Sequence, residues 1–406
     1  MDATRRGRIL VAGGGIAGLA LGIALRHRGL DAVVLERSAE PERAGGGLVL
    51  APNAVKALAA IAPDLARRVR EAGHPAGARG SAPHRSAFLD HRGRVLGWVS
   101  FDGYEDRWGM PSVTVLRADL HRLLRDEAQA AGAELVEGRA ATRYLHGDSG
   151  VGLVTGTEDV LSGDVLVGAD GIHSAVRAQL LGDGPPRHRG FTAVRGIGPA
   201  PAAYPDGFIA YGRGLVLFTA AIGGGELYWV ASMTAPRGVM PSLPIAEALS
   251  RVHERVGGWH PDLRKVTTSA DPAGCVAHDV FDRPPPRTWA RGRVVLAGDA
   301  AHPMVYTLGQ GAGMALEDAA VLAGVLAAVL AGGVATTAAV EAALRRYAAE
   351  RGPRVRKVVR QSRMLGRVAH VRSPLLAVIR DAMLRAMTRG GDSGRQSSDL
   401  FGWAPP

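Results

Sequence analysis

The sequence predicts an α/β fold: a Rossmann-like nucleotide-binding domain, an antiparallel β-sheet inserted into it, and C-terminal helices. Three observations carry this. A short apolar strand, Arg8 to Ala12, runs directly into Gly13-Gly14-Gly15-Ile16-Ala17-Gly18 and an apolar helix. Two later apolar strands end in turns that pair an acid with glycine, Asp170-Gly171 and Gly298-Asp299. Between Gly182 and Pro286 the pattern changes to strands separated by glycine and proline turns, and after Val340 to helices rich in alanine and arginine. At 406 residues the chain is longer than one core usually organises. The expected division is 1–72, 102–181 and 287–340 for the nucleotide-binding domain, 73–101 and 182–286 for the inserted sheet, and 341–406 for the C-terminal helices and polar tail.

The first unit reads strand, glycine turn, helix, strand, acid. Gly13 allows the tight turn, Gly15 lets the backbone approach a pyrophosphate, and Gly18 lets the helix pack close to the strand. Gly29 closes that helix, and Ala32 to Leu35 forms a second strand ending in Glu36, 23 positions after Gly13. A carboxylate there accepts hydrogen bonds from an adenosine ribose. The glycine-rich stretch Ala44 to Ala51 then enters a strand, with Asn53 expected to cap the helix that follows. Val115 and Leu116 lead through Arg117 into an amphipathic helix, Ala118 to Ala131, and a strand at Ala133 to Val136.

After a polar hairpin, the strand Leu161 to Val167 ends in Gly168-Ala169-Asp170-Gly171, with Ser174 and Arg177 on the next helix. Arg293 to Ala297 is a buried strand entering Gly298-Asp299, followed by Gly309-Gln310-Gly311-Ala312-Gly313 and a long helix with Glu317 and Asp318. The inserted region is read as sheet, with strands at Gly190 to Gly196, Gly207 to Ala210, Leu215 to Ala220 and Glu226 to Met233. The C-terminal helices are expected at Ala342 to Val371, broken near Gly352-Pro353, and at Pro374 to Met387.

Composition removes several function classes. The formal charge is +11, and the segment from Glu341 to Gly390 carries thirteen basic residues against three acids, so the rest of the chain is nearly neutral. With no interleaved aromatics or nucleic-acid signature, these arginines are read as a solvated helix face and no nucleic-acid partner is expected. A lone cysteine, Cys275, forms no internal disulfide and supplies no metal-ligand pair, so a reducing, cytoplasmic setting and no metal are expected. The apolar run Ile9 to Leu25 is punctuated by Gly13, Gly14, Gly15 and Gly18, unlike a secretory core. Ala319 to Ala331 is too short for the ~20 residues of a bilayer span and is read as a buried helix. The helix of Leu375, Leu376, Ile379 and Met383 is expected to pack on its own protein rather than on a membrane.

The three signatures, Gly13-x-Gly15-x-x-Gly18, Asp170-Gly171 within LVGADGIHSAVR, and Gly298-Asp299 within GRVVLAGDAAHP, stand in one order. In this the chain resembles the group A flavin-dependent monooxygenases of the para-hydroxybenzoate hydroxylase superfamily, over roughly residues 7 to 365. The resemblance implies a glutathione-reductase-like FAD domain, non-covalent FAD, and NAD(P)H and O2 as co-substrates. It implies that the loop Gly13, Gly15, Ile16, Ala17 and Gly18, with Glu36, holds the ADP half. Arg37, Gly47 and Arg117 join the cofactor-binding residues, Asp170 lies near the pyrophosphate and the nicotinamide approach, and Asp299 meets the ribityl hydroxyls. The amides of Gly311, Ala312 and Gly313 would face the flavin pyrimidine edge, where N–H donors at a helix start suit a carbonyl that gains negative charge.

In that family the inserted sheet roofs the flavin and holds the substrate, which makes Arg195, Tyr211, Tyr228 and Tyr306 pocket candidates, with Arg195 and Tyr306 also candidates for catalysis. The reaction implied is oxygenation, by hydroxylation or epoxidation through a flavin C4a-hydroperoxide, of an aromatic or polyketide-like small molecule. Baeyer-Villiger insertion, an O2-independent FAD reductase or dehydrogenase, and a non-catalytic flavoprotein are the alternatives. No catalytic base stands out, because His302, which follows the ribityl aspartate, is read as structural. One position departs from the family: Tyr306 stands three residues before Gly309, where a proline is usual. A monomer or homodimer is expected.

Overall fold

A computed structural model describes residues 7–40, 46–147, 150–333, 335–389 and 399–405. Its largest core is a six-stranded sheet in the order Ala290–Arg291, Val294–Leu296, Val165–Gly168, Arg8–Ala12, Asp31–Glu36, Glu134–Glu137. Five strands run parallel and Ala290–Arg291 runs antiparallel at one edge. Parallel strands buried on both faces read as continuous apolar runs, which is how Ile9 to Ala12 and Val33 to Leu35 appear in sequence. The helix Ile16–Arg26 packs against the helix Gly311–Leu330, and both are apolar nearly all round because protein covers every side. Gly311–Leu330 has the length and composition of a membrane span, yet it is a core helix of this domain.

A second sheet of seven strands follows the order Val276–Asp282, Arg187–Pro199, Glu226–Thr234, Leu215–Gly223, Phe208–Tyr211, Arg85–Asp90, Val95–Ser100. The hairpin from Arg85 to Ser100 joins the sheet's edge, parallel to Phe208–Tyr211. Because side chains alternate along a strand, the register places Arg195, Tyr228, Val230, Phe218 and Tyr211 on one face and Trp229, Ala231 and Leu217 on the other. The second face is covered by two helices, Ile245–Val256 and Pro261–Thr268, which the reading of this region as sheet alone missed. Their signal was present, since Ala248, Leu249, Val252 and Val256 recur at helical spacing and are buried.

Other expectations need correction. Asn53 does not cap its helix: Pro52 begins the helix Pro52–Ile61, Ala51 takes the cap position, and the Asn53 amide turns inward to Gln310 and Glu317. The break at Gly352-Pro353 does not occur, and one helix runs from Thr337 to Ala369 through Pro353. Proline costs a helix one N–H bond and a clash with the preceding turn. Here Arg351 and Arg354, on either side of it, are anchored to the buried carboxylates of Asp318 and Glu317.

The solvated-face reading of the C-terminal arginines holds for Arg345, Arg346, Arg356, Arg360, Arg367 and Arg372, which are exposed, but not for Arg351 and Arg380, which are only 1% and 3% exposed. Arg380 donates to the Gly212 carbonyl and lies over the Tyr211 ring. Arg363 pairs with the buried Asp282. The last helix, Pro374–Arg389, does pack on the protein, but through Ala377 and Arg380, not through its leucine and methionine face.

Candidate active site

The three signatures converge at the carboxyl ends of the parallel strands. Gly13 has φ +108°, and a Cβ there would stand 2.4 Å from the Ala169 carbonyl and 2.8 Å from Asp170 Cα, so the first turn lies directly against the second. A Cβ on Gly298, φ +57°, would meet Ala17 at 2.7 Å, which brings the third turn onto the first helix. Arg177, fully buried, ties the second to the third: its guanidinium donates to the carbonyls of Ala300 and Ala301 at 3.0 and 2.9 Å and to Asp183. Gly18 stands where a Cβ would strike the Gly13 carbonyl at 1.9 Å, whereas a Cβ on Gly15 would meet nothing within 4 Å. The helix starting at Ile16 therefore presents open backbone at its N-terminus, the site helices offer to phosphate.

Glu36 Oε2 accepts from the Gly14 amide at 2.8 Å, and Oε1 from the Ser38 amide at 3.0 Å. A small cavity beside it is bounded by Gly14, Val34, Glu36, His121, Arg125 and Glu137. His121 bonds the Gly14 carbonyl at 2.9 Å, and Arg125 forks onto Glu137 at 2.8 and 2.7 Å. Sequence reasoning singled out none of these three, although all flank the strand and helix that carry the fingerprint acid. Arg37 lies exposed just after the second strand.

Asp170 and Asp299 differ in their surroundings. Asp170 Oδ2 accepts from the first two amides of the helix Ala175–Leu181, Ala175 and Val176, at 2.7 and 3.2 Å, beside the N-cap Ser174, while its buried Oδ1 has no partner. Desolvation raises its pKa despite those bonds. Asp299 stands open to solvent within a recess walled by protein, and desolvation raises it as well, opposed by the charges of His302 and Arg117. Its carboxylate accepts no hydrogen bond from the described residues.

Facing it, the helix Gly311–Leu330 begins without a side-chain cap, and its first backbone bond runs from Met314 N to Gln310 O. The amides of Gly311, Ala312 and Gly313 thus have no acceptor among the described residues, as expected of a first helical turn. A bare carboxylate beside a row of bare amides suits the hydroxyls of a ribityl chain and the carbonyls of a flavin, so the residues present fit FAD.

Behind this wall lies a largely buried polar network. His302 Nε2 bonds Asp318 Oδ2 at 2.5 Å, the same oxygen accepts from Gly298 N at 2.9 Å, and Arg351 Nε donates to Asp318 Oδ1 at 2.7 Å. Arg351 also reaches Glu317, which receives Arg354 and Asn53. Burial alone would raise the Asp318 carboxyl, but the charges of His302 and Arg351 hold it at about 2. The network fixes the Gly298 turn to the long helix and so positions Asp299. His302 is occupied there on one side, and its Nδ1 has no partner.

On the sheet side, Gly47 packs under the Tyr228 ring, where a Cβ would stand 2.8 Å from Tyr228 Cγ. The Tyr228 hydroxyl lies within the fields of Arg195 and Arg117, and burial raises its pKa. Arg195 sits over the Tyr306 ring, 5.4 Å from its centroid, and Tyr306 contacts Phe191 edge-on at 6.4 Å. Burial pushes the Tyr306 hydroxyl up to about 12, and near Ser232 it finds no hydrogen bond of ordinary geometry. Arg195 Nε is also buried without a partner. Arg195, Tyr228 and Tyr306 are therefore brought together, among Phe191, Phe218 and Val305. Tyr211 shares their sheet face but stands towards its edge, between Phe88 and Arg380. Elsewhere, His74, His84 and Asp206 bring ligand atoms within 4.8 Å of one another, a cluster the sequence did not suggest.

Comparison with known proteins decides the family. The model of the FAD binding domain matches residues 6–192 and 282–362. The chain belongs to the para-hydroxybenzoate hydroxylase-like group A flavin monooxygenases. It is 34% identical over 400 residues, 97% of each chain, to aurachin C monooxygenase/isomerase of Stigmatella aurantiaca. It is 33% identical to 3-amino-4-hydroxybenzoate 2-monooxygenase of Streptomyces cremeus, across 93% of this chain and 92% of that one. The crystal structure of Klebsiella pneumoniae HpxO with FAD and uric acid superposes with a TM-score of 0.85 at 27% identity, covering 99% of both chains. This member is accordingly an FAD-dependent oxidoreductase with the NAD(P)H and O2 dependence typical of its family.

Proposed function

We propose that this flavin monooxygenase oxygenates a mainly apolar aromatic or polyketide-like molecule that presents an oxygen acceptor to Arg195. The observation that carries this reading is the trio Arg195, Tyr228 and Tyr306, whose buried polar atoms, Arg195 Nε and the Tyr306 hydroxyl, lack partners beside the apolar cluster of Phe191, Phe218 and Val305. A buried donor without an acceptor costs roughly 1–3 kcal/mol. A phenolate, carboxylate or ring carbonyl bound there removes that cost, and a hydrocarbon does not. A relative named for 3-amino-4-hydroxybenzoate, and the HpxO structure complexed with uric acid, are consistent with a planar polar-edged substrate.

In this reading the loop from Gly13 to Gly18 and Glu36 hold the ADP half of FAD, with Arg37 and Arg117 towards its phosphates and ribityl chain. Asp299 accepts from the ribityl hydroxyls, and the amides of Gly311, Ala312 and Gly313 donate to the pyrimidine edge. Asp170 stays bound to the first amides of its helix, with its free oxygen towards the pyrophosphate side. Bound FAD supplies the transfer of electrons from NAD(P)H to O2. The chain's own work is to orient the substrate edge on Arg195, to exclude water with Phe191, Phe218 and Val305, and to hold a proton at the Tyr306 hydroxyl.

A second reading, epoxidation, draws on the chain's 32% identity to a zeaxanthin epoxidase of Solanum lycopersicum, of which it spans about half the length, 47%. The test is to screen phenols, quinolones and alkenes for acceleration of NAD(P)H oxidation, and then to analyse the product under isotopically labelled O2. A labelled hydroxyl on an aromatic ring supports the first reading and a labelled epoxide the second. NAD(P)H turnover that needs no O2 and labels nothing overturns both.

A further inference from the structure

The last helix is amphipathic in the reverse sense of a packed helix. At 3.6 residues per turn, Leu375, Leu376, Val378, Ile379, Met383 and Met387 cover about half of its circumference. All six are exposed, from 46% at Ile379 to 69% at Leu375. Its protein-facing side instead carries Ala377, Arg380 and Thr388, the last bonded to the Leu96 carbonyl at 3.1 Å. The preceding helix ends in a matching exposed strip, Met364, Leu365 and Val368. Monomeric soluble proteins rarely leave so large an apolar patch in contact with water.

We infer that this face docks the enzyme on an anionic lipid surface, with the apolar half of Pro374–Arg389 lying in the interface. Charge decides between occupants. Arg360 and Arg367 flank the Met364 strip, Arg372 lies in the turn between the helices, and all three are exposed with no acidic partner among the described residues. A second copy of the chain would bring a like-charged rim against this one, whereas lipid phosphates neutralise it. Arg380 fixes the helix's rotation, because its guanidinium donates to the carbonyls of Gly212 and Ala369 beneath the helix, with Asp381 of the same helix as its ion-pair partner. The apolar half is therefore held outward and does not roll in. The surface adjoins the candidate active site, since Ser362 accepts from Thr307 and Gly366 lies against Val305 and Phe191. Docking itself requires no particular substrate.

The test is co-sedimentation of the FAD-loaded protein with vesicles of phosphatidylcholine alone and of phosphatidylcholine with phosphatidylglycerol. Binding to the anionic vesicles, weakened by added salt, is expected. The triple variant Leu376→Glu, Ile379→Glu, Met383→Glu should lose it, and Arg367→Gln with Arg372→Gln should reduce it about tenfold or more. These side chains are exposed, so flavin content and thermal unfolding should match the parent protein. No sedimentation with anionic vesicles, or equal sedimentation by the triple variant with its flavin intact, overturns the inference. So does a dimer in light scattering that the triple variant abolishes, for then a second copy covers the face.

Discussion

Asp170 and Asp299 are carboxylates at the ends of neighbouring strands whose surroundings assign them different work. Asp170 already accepts two amides at the start of the helix that Ser174 caps, so Asp170→Ala should mainly cost stability, by about 0.5–2 kcal/mol in chemical unfolding, the scale of a lost helix-start acceptor. Asp299 accepts none from the described residues and faces the recess, so Asp299→Ala should mainly cost FAD. Hydrogen bonds to a charged group contribute about 1.5–3 kcal/mol, which corresponds to roughly ten- to hundredfold weaker FAD binding. A flavin titration of the two apoproteins separates the roles; equal FAD affinity in parent and Asp299→Ala removes Asp299 from the site. Tyr306 poses a related question, because burial holds its hydroxyl protonated up to about 12. Tyr306→Phe should retain FAD and Arg195 packing yet release more hydrogen peroxide per NAD(P)H consumed, since it deletes a proton donor from the pocket. Unchanged coupling would make the ring a packing element only.

Among the elements, what the sequence disclosed and what it hid divide along a physical line. The strand, turn and helix of the first signature were legible because Gly13 needs a φ of +108° for the turn itself and Gly18 stands against the Gly13 carbonyl five positions away, and local pattern reports such demands; that Gly13 also lies against Ala169 and Asp170 was not legible. Asn53 was misread because its partners, Gln310 and Glu317, lie 257 and 264 positions away. The uninterrupted helix across Pro353 was misread for the same reason, since local propensity registers the proline and not the carboxylates that grip Arg351. Likewise a helical wheel separates the faces of Pro374–Arg389 without saying which one meets protein. The anchoring of Arg351 is open to test. Arg351→Met should lower stability by roughly 3–5 kcal/mol, because it leaves the carboxylates of Asp318 and Glu317 buried with fewer partners. Exposed Arg356, one turn on, should tolerate Arg356→Gln within about 0.5 kcal/mol. Parallel urea unfolding of the two variants checks the contrast, and similar losses in both would show that helix composition, not the ion pairs, carries the segment.

Across the whole molecule, one buried network joins the nucleotide-binding sheet, the long core helix and the C-terminal helix, and its charge state couples their stability to pH. Asp318 titrates at about 2 in the folded protein against an ordinary 3.8, because the attraction of His302 and Arg351 outweighs the burial that opposes it. A carboxyl whose pKa is depressed by folding stabilises the fold while deprotonated. That contribution is complete above about pH 4 and is lost as pH falls towards 2, an amount on the order of 2 kcal/mol. Asp318→Asn should therefore be less stable than the parent at neutral pH, while the gap between them narrows as acid protonates the parent's carboxyl. Urea unfolding of both proteins, saturated with FAD and followed from pH 6 down to the lowest pH with a folded baseline, measures this gap. Asp299 works in the opposite sense, since desolvation raises its folded pKa and the FAD-free fold gains from its protonation as pH falls through that raised value. The apoprotein should thus lose less stability than the FAD-loaded form over the same mildly acidic range, where ribityl hydroxyls held by Asp299, as proposed, would favour the ionised carboxylate. Parallel acid limbs for the two forms would separate FAD binding from the ionisation of Asp299.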